Sequence, residues 1–168
     1  MTTIPFNELK TNAAELIGKQ WMLISAGTPE DFNCMTASWG GLGFLWGRPV
    51  AFVFVRPNRH TRGYIDSTPT LTLSFMPEAY RQDLVYCGRH SGRDVDKMAA
   101  TQLSPVPTPE GGVAMADADV VLHCRKMFRT TLQEADFLDW SEVSPAWYAE
   151  DNPLHVLYIC EITACEVR

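Results

Sequence analysis

The apolar run Val50-Ala51-Phe52-Val53-Phe54-Val55 limits the folds open to this chain more than any other stretch. It is β-branched and aromatic, and it does not alternate with polar residues. That pattern predicts a strand covered on both faces, by core on one side and by a helix or a second subunit on the other. The run stops at Arg56-Pro57, because a proline ring cannot continue a central ladder. Beyond it lies a basic turn, Asn58-Arg59-His60-Thr61. Before it lies a loop of amide and hydroxyl groups, Asn33, Thr36 and Ser38, closed by Trp39. Gly40, Gly41 and Gly43 follow and mark a tight turn or a close backbone approach. Two donor-rich loops joined by a stiff strand are the parts of a small-ligand site.

The remaining pattern is also mostly strand. Thr70–Phe75 alternates strictly, with Leu71, Leu73 and Phe75 on one face and Thr72 and Ser74 on the other. Strands are expected over residues 21–26, 35–39, 113–115, 120–124, 127–133 and 155–167. Helical spacing predicts a short helix or helical turn over residues 6–17 and loose helical order over 77–88, and residues 61–67 read as a short helix or turn before Pro69. Ser91 followed by Asp94 forms a capping box, and Val95, Met98, Ala99 and Leu103 would give that helix one apolar face. Short strands, frequent turns and few long helices predict a mainly β chain, a small β-barrel with helical insertions. No GxGxxG follows a strand, which argues against a dinucleotide-binding α/β fold. The length fits one domain over residues 1–168.

The formal net charge of −6 argues against a general nucleic-acid surface. Eight Lys and Arg against five Asp and Glu nevertheless lie between Arg48 and Lys97. A basic segment in an acidic chain suits a compact anion such as phosphate; solvated surface arginines are the plainer alternative. Five cysteines, an odd number with no CxxC and no zinc spacing, predict a reduced, cytoplasmic protein without a metal site. The N-terminus has no signal-peptide pattern, and no apolar run approaches the ~20 residues of a membrane span.

Arg56, Arg59, Thr61 and Lys97 form a candidate phosphate cradle. Arginine grips oxyanions bidentately, threonine donates a hydroxyl and lysine adds a compact charge. A helix beginning near Ser91 would add N–H groups. Plain capping accounts equally for Ser91 and Asp94, and a solvated helix charge for Lys97. Asn33, Thr36, Ser38 and Trp39 could read a heterocycle rich in carbonyls and ring nitrogens; the alternative is a polar start to a strand, with Trp39 in the core. Ser38 lies in A-S-W-G and not in a nucleophile elbow, and no Cys/His pair has a local signature. A ligand site without an acid, base or nucleophile predicts that a cofactor carries the chemistry. Residues 135–153 are acidic and aromatic, either a lid or a loop pinned down by its own rings.

The stretches N-C-M-T-A-S-W-G, R-P-V-A-F-V-F-V-R-P-N-R-H-T, C-G-R-H-S-G-R-D-V-D-K and H-V-L-Y-I-C-E-I, in that order, resemble the flavin reductase-like, flavoredoxin-type proteins. The resemblance implies an FMN-binding split β-barrel of Greek-key type and a homodimer with FMN near the subunit interface. It implies that Asn33, Met35, Thr36, Ala37, Ser38 and Trp39 line the flavin ring and ribityl chain. Arg56, Pro57, Arg59 and Thr61 would meet the ribityl and phosphate region, and Ser91, Gly92 and Lys97 the phosphate end. His60 departs from the pattern, since similar proteins often carry Tyr there. The activity implied is hydride transfer from NADH or NADPH to the flavin, and then to a downstream acceptor. Flavoredoxin-type electron transfer with tightly bound FMN, or flavin binding without catalysis, are the alternatives.

Overall fold

The structure, a computed structural model, describes residues 1–149 and 152–168; Glu150 and Asp151 of the acidic aromatic stretch lie outside it. The chain runs through β1 (Thr2–Ile4), α1 (Ala13–Glu15), which continues as a wide helical turn over Leu16–Gln20, and β2 (Met22–Thr28). Next come β3 (Asp31–Ala37), β4 (Gly40–Leu45), β5 (Arg48–Val55), α2 (Thr61–Ser67), β6 (Thr70–Phe75) and α3 (Arg81–Arg89). β7 (Pro105–Pro107), β8 (Val113–Met115), β9 (Val120–Thr131), α4 (Trp140–Trp147) and β10 (Val156–Val167) complete it.

Antiparallel pairing orders one sheet as β3-β2-β6-β9-β10-β5-β4, with β1 on the far end of β10 and β7-β8 as a separate ribbon. The two terminal strands, β3 and β4, are neighbours in sequence. Ser38 and Trp39 join them, yet they do not pair, so the sheet curls without closing into the expected barrel. The curl is tightened by register shifts between β9 and β10 at Ile159/Cys160 and at Ile162/Ala164, where bulges bend the strands. Gly40 makes the corner possible, because a Cβ there would lie 2.7 Å from the Phe52 carbonyl oxygen.

One core fills the curl, with Ile24, Val53, Val55, Leu73, Leu122 and Tyr158 among its buried side chains. A second lies on the other face of β2, under α3 and β8, and includes Leu23, Cys34, Leu84, Cys87, Met115 and Val121. The second core covers a polar face of β6. Thr72 and Ser74, on the opposite face of β6 from Leu71 and Leu73, are buried as well, because β8 covers them. Thr72 Oγ1 donates to the Val113 carbonyl at 2.6 Å, and Ser74 Oγ accepts the Met115 N–H at 3.3 Å. The helix expected after Ser91 is replaced by successive turns. There the Asp96 carboxylate accepts from the N–H groups of Met98 and Ala99.

One further expectation is revised. The strands over 120–124 and 127–133 are one continuous strand, β9. The short helix or helical turn expected in residues 6–17 takes the form of a turn at Phe6–Glu8 and of α1 with its continuation over Leu16–Gln20. In β5, Val50, Ala51, Val53 and Val55 are buried, while Phe52 and Phe54 are half-covered. α2 occupies the 61–67 stretch read as a short helix or turn.

Candidate functional site

The open side of the sheet, where β3 turns into β4, carries most of the candidate residues. A cavity of about 270 Å³ is lined by Met35, Thr36, Ala37, Ser38 and Trp39 from the β3–β4 corner, with Phe54, Arg56 and Arg59 from the end of β5. Its remaining wall is Trp147 and His155, from the connection between β9 and β10. A larger cleft of about 730 Å³ lies beyond Arg59 and is bordered by Pro57, His60, Arg62 and Arg93. Arg59 borders both spaces and donates to the Gly88 carbonyl at 3.0 Å. Because β3 ends the sheet, its outer edge has no strand partner among the described residues, and its last residues, Met35 to Ala37, border the cavity.

Asn33, Thr61 and Gly92, read separately from the sequence, meet behind this wall. Asn33 Nδ2 donates to Thr61 Oγ1 at 2.9 Å, and both residues are buried. A Cβ on Gly92 would lie 2.4 Å from Asn33 Oδ1, so glycine is what allows the carboxamide to sit there. Ser91 Oγ accepts the Arg93 N–H at 3.2 Å, forming a local turn. Thr36 Oγ1 donates to the Leu84 carbonyl at 2.6 Å and fastens β3 to α3.

Two of the candidate cations have duties the sequence did not suggest. Lys97 is buried, and its ammonium donates to the carbonyls of Cys34 at 2.6 Å and Cys87 at 3.0 Å. It bridges β3 to α3, where a solvated charge or a phosphate ligand was expected. Burial pulls its pKa down, and the neighbouring cysteines partly offset that. Arg56 donates through Nη2 to the Trp147 carbonyl at 2.9 Å and through Nη1 to the Pro153 carbonyl at 3.0 Å. Its guanidinium also lies 5.9 Å from the Trp39 ring centre and 5.4 Å from that of Tyr148. Arg56 therefore clamps the α4 segment over the cavity, and burial lowers its pKa.

The aromatic stretch is thus a cover with its own packing. Trp147 meets Trp39 edge to face at 4.8 Å, and Phe137, Trp140 and Tyr148 form a cluster behind it. His155 was not singled out by the sequence, where it reads only as the start of a strand. It lies 5.0 Å from Trp39, and its Nδ1 shares a hydrogen bond of 3.1 Å with the Tyr148 hydroxyl. Burial first, then the positive charges of Arg56 and Arg59, push its pKa down to about 4, so the ring is neutral at neutral pH. Phe54 was read only as part of the buried strand, and it too lines the cavity.

Among the described residues, no group of His, Cys, Asp and Glu side chains is placed to hold a metal ion. None of the helices described is long and apolar enough to cross a membrane.

Residues 15–168 match the family model described as the flavin reductase like domain, and the chain belongs to that family. Solved structures of the same fold include an FMN-binding protein from Thermus thermophilus with bound p-hydroxybenzaldehyde. It shares 18% identity at a TM-score of 0.69, over 98% of this chain and 76% of that one. Flavoredoxin from Methanosarcina acetivorans shares 18% identity at a TM-score of 0.68, over 100% and 75%. The NADH:FAD oxidoreductase SgcE6 of Streptomyces globisporus C-1027 shares 14% at a TM-score of 0.64, over 89% and 75%. No curated protein matches the chain.

Proposed function

We propose that this protein binds FMN at the open side of its sheet and acts as an NAD(P)H-dependent flavin reductase. The observation that carries the reading is the outer edge of β3, without a strand partner among the described residues, which borders a cavity walled by Trp39 and Trp147 and bounded by Arg59. A flat heterocycle with ring carbonyls and nitrogens needs such a strand edge and such aromatic walls. Its phosphate needs cations and donors, and the neighbouring cleft has Arg59 and Arg93 on its border, with the His60 ring beside them. The residues present therefore fit the cofactor, with the phosphate duty passing from Lys97 to these groups. When bound, FMN would accept hydride from a nicotinamide and pass electrons onward. The chain itself would orient the ring against the β3–β4 corner, exclude water with α4 and hold positive charge near the ring through Arg56 and Arg59.

In this reading Asn33, Met35, Thr36, Ala37, Ser38 and Trp39 form the ring side, with Asn33 acting through Thr61 and Gly92. Pro57, Arg59, Ser91 and Gly92 form the phosphate side, and Lys97 supports β3 from behind. The open sheet corresponds to the split barrel of the family. A cytoplasmic homodimer would cover the exposed Trp46 and Phe128 beside Phe52, in line with the half-covered outer face of β5.

The clamped cover favours a second reading, a flavoredoxin-type electron carrier. Trp147, held by Arg56, narrows the cavity, as a flavin that stays bound would require. An anaerobic titration separates the two. Flavin bleaching within seconds of adding NADH or NADPH supports the reductase, and a flavin that stays oxidised supports the carrier. A protein that takes up no flavin from added FMN would refute both. Arg56→Ala should weaken FMN binding by about 1.5–3 kcal/mol, by freeing α4 and removing a charge beside the ring. An unchanged dissociation constant would remove Arg56 from the site.

A further inference from the structure

We propose that Cys34 and Cys87 are a redox-active thiol pair that a hydroperoxide converts to a disulfide, locking β3 to α3 behind the candidate site. The two sulfurs lie 3.9 Å apart, with the Cys34 thiol directed at the Cys87 sulfur. They stand on different elements, 53 residues apart in sequence. Three ties fix the seam between them: the two bonds from Lys97 to the carbonyls of these same residues, and the Thr36–Leu84 bond. A sulfur–sulfur bond is about 2 Å long, so closing the pair asks each sulfur to move by roughly 1 Å.

The pair is polarised. The Cys87 thiol is lowered, first by the hydrogen bond from Cys34 and further by the Lys97 charge, against the opposing effect of burial. The Cys34 thiol is pushed well up, by its bond to Cys87 and by burial, so it keeps its proton. Cys87 is thus the nucleophile and Cys34 the resolving thiol. Cys124 and Cys160 contrast with them. Burial raises both, with no hydrogen bond from another thiol to lower either.

The step balances with one hydroperoxide molecule. The Cys87 thiolate attacks an oxygen of hydrogen peroxide; an S–O bond forms, the O–O bond breaks, and the departing hydroxide takes up the proton the Cys87 thiol had released, leaving as water. The Cys34 sulfur then attacks the sulfenic sulfur. The S–S bond forms, the S–O bond breaks, and the departing hydroxide takes the Cys34 proton as water. Two thiols lose two electrons, and one peroxide becomes two waters. Both cysteines are buried, so the reaction waits on local opening of the α3 seam and runs slowly compared with exposed thiols.

The test needs no flavin, so its failure is distinct from failure of the proposed function. The purified full chain is incubated with hydrogen peroxide, quenched, unfolded and titrated for free thiols. Reduced protein should show five. Treated protein should show a loss of two, a mass lower by two hydrogens, and a peptide joining Cys34 to Cys87; dithiothreitol should reverse all three. Cys34→Ser should lose the disulfide and leave Cys87 as a sulfenic acid that dimedone traps. Cys124→Ser should still form the disulfide. Five thiols remaining in the treated wild-type protein, or a disulfide mapped to any other pair, would overturn the proposal.

Discussion

His155 gives the clearest quantitative expectation. Its pKa is about 4 in the folded chain, against 6.5 for a free imidazole. The depressed value means that the unfolded chain binds the proton first. The contribution to stability is therefore fully present above about pH 6.5 and is lost as pH falls toward 4. At pH 5 the upper bound on the loss, relative to pH 7.5, is about 2 kcal/mol. Part of the shift comes from Arg56 and Arg59, whose repulsion is screened at the rim of an open cavity, so about 1 kcal/mol is the realistic figure. His155→Phe keeps a ring against Trp39 and removes the titration. Urea unfolding at pH 7.5, 6 and 5 should show wild-type stability falling by about 1 kcal/mol more than that of the variant over this range. Parallel curves for the two proteins would refute the argument. So would a wild type that gains stability on acidification while the variant does not, because that would mean a raised imidazole pKa.

Two further substitutions test the support of the site. Gly92→Ala places a Cβ 2.4 Å from Asn33 Oδ1 and should cost about 1–3 kcal/mol, read as a lower urea midpoint at unchanged slope. Lys97→Met keeps the length of the stem but leaves the Cys34 and Cys87 carbonyls without their donor. It should destabilise by about 2–4 kcal/mol, with faster amide exchange along β3 than in β9 or β10; uniform exchange changes would contradict a local bridging role.

The sequence disclosed what local chemistry decides and concealed what distant partners decide. α2 was legible because Pro57 and Pro69 bracket it and Tyr64 and Ile65 can turn inward as a helix. The capping box at Ser91 was equally clear locally, yet no helix follows. Lys97 is drawn inward by a carbonyl 63 residues earlier in the chain, and Asp96 takes the N–H groups that would have continued the spiral. The alternation of β6 was read correctly as a strand, but its outer face is not wet. Thr72 and Ser74 are small enough to be buried, and each finds a backbone partner on β8, more than 40 residues on.

Arg56 and His155 carry this logic into the site. As a residue type, Arg56 reads as an anion ligand, because a guanidinium has donors and a charge. Its observed partners are two carbonyls more than 90 residues away, which no local pattern reveals. The same placement brings its charge close enough to His155 to help keep that ring uncharged. One side chain thus holds the cover down and sets the protonation of its neighbour. A bound anion that drew the Arg56 guanidinium away would loosen α4, weaken the repulsion on His155 and raise the imidazole pKa. Cover and charge at this cavity therefore respond together to what the cavity holds.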